Sequence, residues 1–226
     1  MKNSAHDNRV TDILDLARRA GVELRFRDRA ALDRASDGAV HQGCIGYCDG
    51  YAYSSLDDVF ACAEQKNEPP FIVVLDGIED PHNLGSIIRS CECGGVHGII
   101  LGKNRQVPVN DTVIKVAEGA AEHVRIVRAV NVNDAIRTLK TRGVWVYALD
   151  ASGNDIYSEN LGGALALVVG AEGKGVSRLT KELCDGVLSL PMRGKINSLN
   201  ASVAAALGIY CKISYDAAVK RNNKQA

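Results

Sequence analysis

The chain has 226 residues, a formal net charge of zero and 46% hydrophobic residues, which is enough for one sizeable domain, or for one domain with a small appendage. The pI near 6.9 gives no overall signature of nucleic-acid binding, so only local basic clusters can argue for it. The seven cysteines lack metal-site spacing, and no apolar stretch is long enough to cross a bilayer. These features favour a reduced, cytoplasmic protein with no metal and no membrane span.

The N-terminal part of the chain is polar and only weakly patterned. Its apolar spacing predicts two helices and two strands: helices over 11–20 and 28–35, and strands over 22–26 and 44–47. The sequence Glu68-Pro69-Pro70 precedes a strong strand and indicates a domain boundary. We therefore expect a small, partial α/β segment with its linker over 1–66, and the main domain over 67–226.

Regular alternation of strands and helices begins at Phe71. Strands are predicted over 71–75, 97–101, 124–127, 144–149, 165–169 and 187–190, of which 71–75 and 165–169 are expected to be buried. Helices are predicted over 83–93, 112–121, 133–140 and 201–210. This order is typical of an α/β fold with a mostly parallel sheet and helices on both faces.

Two loops near the C-terminus follow predicted strands and carry the most informative residues. One is the glycine-rich stretch 170–175, which contains Glu172, and the other contains Ser198 and Asn200. Loops at neighbouring strand ends form the usual small-molecule crevice of α/β proteins. The few charges favour a nucleoside-like ligand, and the glycine spacing fits neither a Walker loop nor a dinucleotide fingerprint. Arg193 and Lys195 lie beside this crevice and are the best candidates for contact with a phosphate.

Candidate residues elsewhere have less specific surroundings. Asn83 is predicted to cap the helix that carries Arg89. A lone arginine on a helix is usually solvated, but apolar neighbours flank Arg89, so a position at the rim of the crevice also stays open. His41, in a turn bounded by glycines, is a candidate contact for a partner.

Three stretches resemble the motifs of the SpoU (TrmH-type) RNA ribose 2′-O-methyltransferases of the SPOUT superfamily. They occur in the family's order and read LDGIEDPHNLGSIIRS, LALVVGAEGKGVSRLT and LPMRGKINSLNASVA. The segment RVTDILDLARRAGVELRFRDRAALDRASDGAVHQG resembles the later half of the RNA-binding domain found in the 23S ribosomal RNA guanosine 2′-O-methyltransferase branch. That resemblance implies a shortened N-terminal domain.

The resemblance implies S-adenosylmethionine as the methyl donor, a C-terminal trefoil knot and a homodimer with the pocket at or near the subunit interface. By position in the motifs, it implies five catalytic-site residues: Asn83, Arg89, Glu172, Ser198 and Asn200. It also implies that the backbone grips the cofactor at four positions: Gly170, Leu190, Met192 and Leu199. RNA contacts are expected from Arg193, Lys195 and His41.

The activity implied by the resemblance is methylation of a ribose 2′-hydroxyl in structured RNA. A guanosine of 23S rRNA is the favoured target, with transfer RNA as the alternative. A second class of function, an RNA-binding or assembly module that keeps the fold without turnover, also stays open. The set of site residues favours the enzyme.

Overall fold

The computed structural model describes residues 4–223, with side chains from 9 to 222. These residues divide into two compact units after Gly50. The boundary predicted from the sequence lies after residue 66, so the expected linker belongs structurally to the second unit. The reason is helix α3 (Leu56–Gln65), whose Val59 and Ala63 are buried in the core of that unit.

The first unit consists of two helices and irregular chain. Helix α1 spans Ser4–Arg19 and so begins seven residues before the predicted start at residue 11. Helix α2 spans Arg29–Ala35, close to the predicted 28–35. The strands predicted over 22–26 and 44–47 are wrong, because neither stretch has a partner strand in the described part of this unit. None of the side chains described between 9 and 50 is fully buried.

The second unit is built on a six-stranded sheet in which every pairing is parallel. The strands are β1 (Phe71–Asp76), β2 (Gly98–Gly102), β3 (Arg125–Ala129), β4 (Trp145–Asp155), β5 (Leu165–Gly170) and β6 (Gly186–Ser189). Their order is β3-β2-β1-β5-β4-β6. Because the strands are parallel, the loops that follow them emerge at one edge, which we call the carboxyl edge.

Helices cover both faces of the sheet, so the predicted fold class is confirmed. They are α3, α4 (Pro81–Cys93), α5 (Asp111–Ala117), α6 (Val132–Thr141), α7 (Arg178–Leu183) and α8 (Ala201–Asn223). The apolar side chains of α4, α5 and α8 pack with those of one sheet face, which includes Val73 and Leu75. Those of α3 and α6 pack with the other face, which includes Ile72 and Val74. In the range 4–223, no helix is long and apolar enough to cross a membrane.

Three predicted elements of the second unit differ most in extent from the structure. Helix α5 ends at Ala117 rather than at residue 121, because Glu118 and Gly119 adopt left-handed backbone conformations. Helix α8 continues past residue 210 to Asn223. Strand β4 extends to Asp155, and β6 pairs with it in two registers, so Leu188 lies opposite both Leu149 and Asn154. The intervening stretch 150–153 does not pair with β6. The trefoil knot implied by the resemblance stays a prediction.

Candidate active site

Three loops of the carboxyl edge converge on one site. The first follows β1 and leads into α4, the second follows β5, and the third connects β6 to α8. Strands β1 and β5 are neighbours in the sheet, so the first two loops leave it side by side. Hydrogen bonds between side chains then join all three loops.

Asn83 is the centre of these hydrogen bonds and is buried at the start of α4. Its Nδ2 donates to Glu172 Oε2 of the second loop over 3.2 Å. Its Oδ1 accepts from Asn200 Nδ2 of the third loop over 2.9 Å. The prediction that Asn83 caps α4 is wrong. Asp80 accepts from the backbone N–H groups of His82 and Asn83 and is the cap, which leaves the Asn83 amide available to the site.

Asn200 fixes the direction of this chain of hydrogen bonds. Its Oδ1 accepts from Ser202 N over 2.9 Å and from Ser202 Oγ over 2.6 Å, so it caps the first turn of α8. An amide has distinct donor and acceptor ends, so Nδ2 of Asn200 must point at Asn83. The Asn83 amide is thereby oriented with its donor towards Glu172.

The glycine-rich loop after β5 is a tight turn closed on itself. Gly175 N donates to the Ala171 carbonyl over 2.8 Å. A Cβ atom at Gly170 would lie 2.0 Å from the Gly175 carbonyl carbon, so only glycine fits at this crossing. Gly173 and Gly175 have φ values of 76° and 64°, which other residues adopt with strain. This turn holds Glu172 beside Asn83 and leaves bare backbone at the edge of a cavity.

The cavity has a volume of about 310 Å³ and lies between the second and third loops and the end of β4. All four positions predicted to grip the cofactor line it: Gly170, Leu190, Met192 and Leu199. Glu172 and Ser198 line it as well. Its walls combine leucine and valine side chains with glycine backbone, which suits a flat heterocycle and a few polar groups.

Asp150 also lines the cavity, although it is not among the residues predicted from the sequence. Burial acts to raise the pKa of its carboxyl, but hydrogen bonds from Ser152 and Lys181 outweigh this effect and hold the pKa below its ordinary value. Asp150 is therefore ionised at neutral pH. Its position directly after the apolar stretch 144–149 is the signal that identifies it, because the carboxyl ends of parallel strands carry functional side chains.

Arg89 lies on α4 outside this hydrogen-bonded chain. Its Nη1 lies 3.1 Å from Glu118 Oε2, and the two side chains are 54% and 66% exposed. Close packing of α4 on α5 accompanies this pair, since a Cβ atom at Gly85 would lie 2.6 Å from the Cβ of Val116. The described protomer therefore joins Asn83, Glu172 and Asn200 and keeps Arg89 apart from them.

The remaining predicted residues differ in whether their side chains are free to contact a ligand. Arg193, Lys195 and Ser198 are exposed, and none of them has an ion pair or hydrogen bond within residues 9–222. The His41 side chain in the first unit is only 10% exposed. Its Nε2 pairs with Asp33 over 2.9 Å, and its Nδ1 accepts from Gly43 N over 3.0 Å. His41 thus stabilises its own turn, and its contact with RNA stays a prediction.

Comparisons with known proteins bear on both units. The sequence model of the SpoU rRNA Methylase family matches residues 70–210. A second model, described as RNA 2′-O ribose methyltransferase substrate binding, matches residues 1–54.

Among curated relatives, "Putative TrmH family tRNA/rRNA methyltransferase YacO" of Bacillus subtilis is 43% identical over 212 residues, which cover 93% of this chain and 84% of the relative. The 23S rRNA (guanosine-2′-O-)-methyltransferase RlmB of Escherichia coli is 39% identical over 208 residues, 90% of this chain and 84% of the relative.

Solved structures give the same picture. The SpoU methyltransferase AviRb from Streptomyces viridochromogenes, in complex with AdoMet, has a TM-score of 0.64 and 26% identity, and the match covers 71% of this chain and 61% of that one. An rRNA methyltransferase from Sinorhizobium meliloti has a TM-score of 0.74 over 92% of this chain and 78% of that one. At 22% identity, the latter supports the fold alone.

Proposed function

The chain belongs to the SpoU rRNA methylase family, and on this basis we propose that it transfers a methyl group from S-adenosylmethionine to the ribose 2′-hydroxyl of a guanosine in 23S rRNA. The membership makes it an RNA 2′-O-ribose methyltransferase. The observation that carries the proposal is the hydrogen-bonded chain Glu172–Asn83–Asn200, which joins the three motif loops at the rim of the cavity.

The residues around the cavity fit S-adenosylmethionine. Leu149, Leu188 and Leu199 offer apolar walls for an adenine ring, and the Gly170 crossing lets the ligand approach the main chain closely. The Asp150 carboxylate, which already pairs with Lys181, adds an oxygen acceptor for the polar groups of the ligand. When bound, this cofactor supplies an electrophilic methyl group carried by a positively charged sulfur.

We assign Arg89 to the RNA rather than to proton abstraction. A guanidinium stays protonated in proteins, so it cannot act as a simple base. Exposed ion pairs contribute little free energy, about 0–1 kcal/mol, so an RNA phosphate can readily displace Glu118 from Arg89. Bound in this way, Arg89 would stabilise the negative charge that develops on the ribose oxygen. The proton of the ribose 2′-hydroxyl would pass to a phosphate oxygen or to water.

We propose that the amide chain orients the ribose. With Oδ1 of Asn83 occupied by Asn200 and one Nδ2 proton occupied by Glu172, the second Nδ2 proton stays available to a substrate oxygen. Glu172 holds the glycine loop and the α4 loop together. Ser198, on the cavity wall, has its hydroxyl available to either substrate.

The choice of RNA rests on the named relatives. Those named 23S rRNA (guanosine-2′-O-)-methyltransferase are 39–41% identical over 208 residues. The relative named for both tRNA and rRNA is 43% identical, so transfer RNA is the alternative. We also propose that residues 1–66 contribute RNA binding, since a substrate-binding family model matches 1–54. An rRNA substrate places the enzyme in the cytoplasm.

The test is methyl transfer from labelled S-adenosylmethionine to unmodified 23S rRNA and, separately, to unmodified transfer RNA. Label on the 2′-oxygen of a 23S guanosine, mapped by nuclease protection and mass spectrometry, is the expected result. Label only in transfer RNA overturns the choice of substrate. RNA binding without any label overturns the enzymatic proposal in favour of a non-catalytic module.

We further propose that the enzyme works as a homodimer. One face of α8 exposes Val203, Leu207 and Tyr210, which are 45%, 41% and 52% accessible and lie on one side of the helix. A second copy that covers this face would also supply a rim close to the cavity, because α8 begins there. Light scattering is expected to give twice the mass of one chain, and Leu207→Asp is expected to shift it to the single-chain mass. A wild-type chain that stays monomeric at micromolar concentration contradicts this.

A further inference from the structure

A basic turn follows strand β2, on the far side of the catalytic loop from Arg193 and Lys195. It contains Lys103 and Arg105, which are both exposed. Neither makes an ion pair with any carboxylate in residues 9–222, whereas four other exposed arginines of the second unit do. Two cations without partners at the carboxyl edge are available to a ligand.

The turn is held in place by hydrogen bonds. Lys103 N donates to the Ala129 carbonyl over 2.8 Å, and Val107 N donates to the Ile78 carbonyl over 2.9 Å. Gln106 Oε1 accepts from Ile78 N over 2.8 Å. Because Ile78 belongs to the loop that leads to Asn83, the basic turn and the catalytic loop form one unit.

The backbone of the turn has a left-handed conformation at Arg105. Arg105 has a φ of 52°, a conformation that residues with a Cβ adopt infrequently. Such strain persists only when the surroundings impose it, and it is concentrated at binding and catalytic sites. Here the residue with the left-handed backbone, Arg105, also has an exposed side chain.

The order of the strands places this turn and the other basic residues in a row. Along the sheet, β2 is followed by β1, β5, β4 and β6. The turn after β2 carries Lys103 and Arg105, the loop after β5 carries Lys174, and the loop after β6 carries Arg193 and Lys195. Four strand spacings of about 4.8 Å give a row roughly 19 Å long. At about 3.4 Å per nucleotide of a stacked strand, that length spans several phosphates.

The two basic segments at the ends of the row contain no carboxylate. Asp76 accepts from Ser177 N, Glu172 accepts from Asn83, and Asp150 is held by Lys181. In the described residues no cation pairs with the carboxylates of Asp76, Glu79, Asp80, Asp111 or Glu172, so the five cations of the row face five such carboxylates. Residues 103–110 and 190–200, however, contain no acidic residue. The cations at both ends of the row therefore have no acidic neighbour within their own segment, although the whole chain is neutral.

We propose that the turn Lys103–Arg105 is a second phosphate-binding element, so that the RNA strand crosses the carboxyl edge with its target ribose between this turn and Arg193/Lys195. The proposal rests on the RNA methyltransferase function proposed above and adds the path of the substrate across the enzyme. These residues bind the strand and do not take part in methyl transfer itself.

The test compares full-length variants in their binding to unmodified 23S rRNA as a function of salt. Lys103→Gln combined with Arg105→Asn removes both charges, and asparagine tolerates the left-handed backbone of residue 105. Loss of two phosphate contacts is expected to reduce the slope of log K against log salt by about 1.4 and to weaken binding about tenfold at moderate salt. Lys103→Arg combined with Arg105→Lys keeps both charges and is expected to retain wild-type binding.

The matched control is Lys220→Ala combined with Arg221→Ala, which removes an exposed Lys/Arg pair near the end of α8. Helix α8 starts at the carboxyl edge and has 23 residues, so this pair lies about 30 Å away along the axis. The control is expected to leave RNA binding unchanged. In the test variant, the Kd for S-adenosylmethionine and the single-turnover rate at saturating RNA are expected to stay within about twofold of wild type.

A test variant with the salt slope and Kd of the control overturns the proposal, even if the wild type methylates 23S rRNA normally. A wild type that transfers no methyl group to any RNA overturns the proposed function instead. A test variant with normal RNA affinity and a reduced single-turnover rate also overturns the proposal, because it assigns the turn to the chemistry.

Discussion

Arg89 is separated from the Glu172–Asn83–Asn200 chain and is held by an exposed carboxylate, which defines what its substitution should do. Arg89→Lys keeps the charge and loses the planar fork that can bind a phosphate through two N–H groups. We expect at least a roughly hundredfold lower single-turnover rate, on the scale of losing one oxyanion donor. S-adenosylmethionine affinity should stay unchanged.

Arg178→Lys is the matched control for Arg89→Lys. Arg178 also lies on a helix, is exposed, and pairs with a carboxylate, Glu182, over 2.6 Å. Its substitution should leave the methylation rate within about twofold of wild type, since exposed ion pairs contribute little. Near-normal single-turnover methylation by Arg89→Lys would rule out the proposed role of the guanidinium.

Asn83 and Asn200 are expected to act as a single unit. Asn83→Ala removes both hydrogen bonds of the buried amide, and Asn200→Ala removes the bond that fixes its orientation. Each substitution should lower the single-turnover rate about tenfold or more, and the double variant should be little worse than the worse single one, because residues of one network are not additive. Strictly multiplicative losses, with folding intact by circular dichroism, would contradict a shared role.

At the residue scale, the sequence predicts most of the site but not its connections. The motif positions 83, 172 and 200 do converge, and the four predicted cofactor positions line one cavity. Asp80 and Asn83 are both residue types that cap helices well. Only the fold shows that Asp80 caps α4 and that the Asn83 side chain instead bonds to Glu172 and Asn200. Glu118 lies outside the three sequence motifs, and its pairing with Arg89 depends on how α4 and α5 pack.

At the element scale, His97 joins the starts of neighbouring strands β1 and β2. Its Nδ1 accepts from Phe71 N over 3.0 Å, and its Nε2 pairs with Glu68 over 3.2 Å. Burial lowers the pKa of His97 from its ordinary value of 6.5, with the charge of Lys66 acting in the same direction and Glu68 opposing it. The neutral imidazole is therefore the form that the folded state prefers.

The lowered pKa of His97 determines how the free energy of unfolding changes with pH. A histidine whose pKa is lower in the folded state binds fewer protons there than in the unfolded chain, so its contribution is complete above pH 6.5 and is lost as pH falls below it. We expect the Tm to fall between pH 7.5 and 5, and the fall to be smaller in His97→Asn, whose side-chain oxygen can still accept from Phe71 N. His123→Asn, an exposed control, should keep the wild-type dependence. Equal pH slopes for His97→Asn and wild type would contradict this assignment.

Elements are predicted well where local pattern and sheet position agree. The six predicted strands of the second unit are all observed, because each has a parallel partner and contributes buried side chains to the sheet, although the edge strand β3 exposes Arg125 and Arg128. The alternating stretch 22–26 shows the same local preference and yet forms no strand, since pairing is a property of the neighbour. The continuation of β4 beyond residue 149 also cannot be predicted from the local sequence pattern, because it depends on pairing with β6.

At the scale of the whole molecule, both hydrophobic cores belong to the second unit. The first unit contains no fully buried side chain among residues 9–50. We therefore expect a chain that begins at Tyr51 to fold, with its Tm within a few degrees of wild type and an unchanged Kd for S-adenosylmethionine. Its affinity for 23S rRNA should fall about tenfold or more, if the first unit contributes phosphate contacts.

Calorimetry and filter binding on the two chains check these expectations. Failure of the shortened chain to bind S-adenosylmethionine would show that the first unit supports the cavity, and unchanged RNA affinity would remove its proposed role. The sequence predicts the division into two parts but places it after residue 66. Helix α3 is short and polar on its outer side, and only the burial of Val59 and Ala63 assigns it to the sheet.

The parallel pairing of β1 with β5 has a consequence for synthesis of the chain. Phe71 lies opposite Leu165, and β4 reaches its partner β6 only at Gly186, so the centre of the sheet cannot assemble from adjacent segments. While a ribosome is still translating the middle of the chain, the nascent apolar strands lack their final neighbours. Such non-local topology slows folding and lengthens the time during which strands stay open to aggregation. Newly made protein should therefore depend more on chaperones than its modest size suggests.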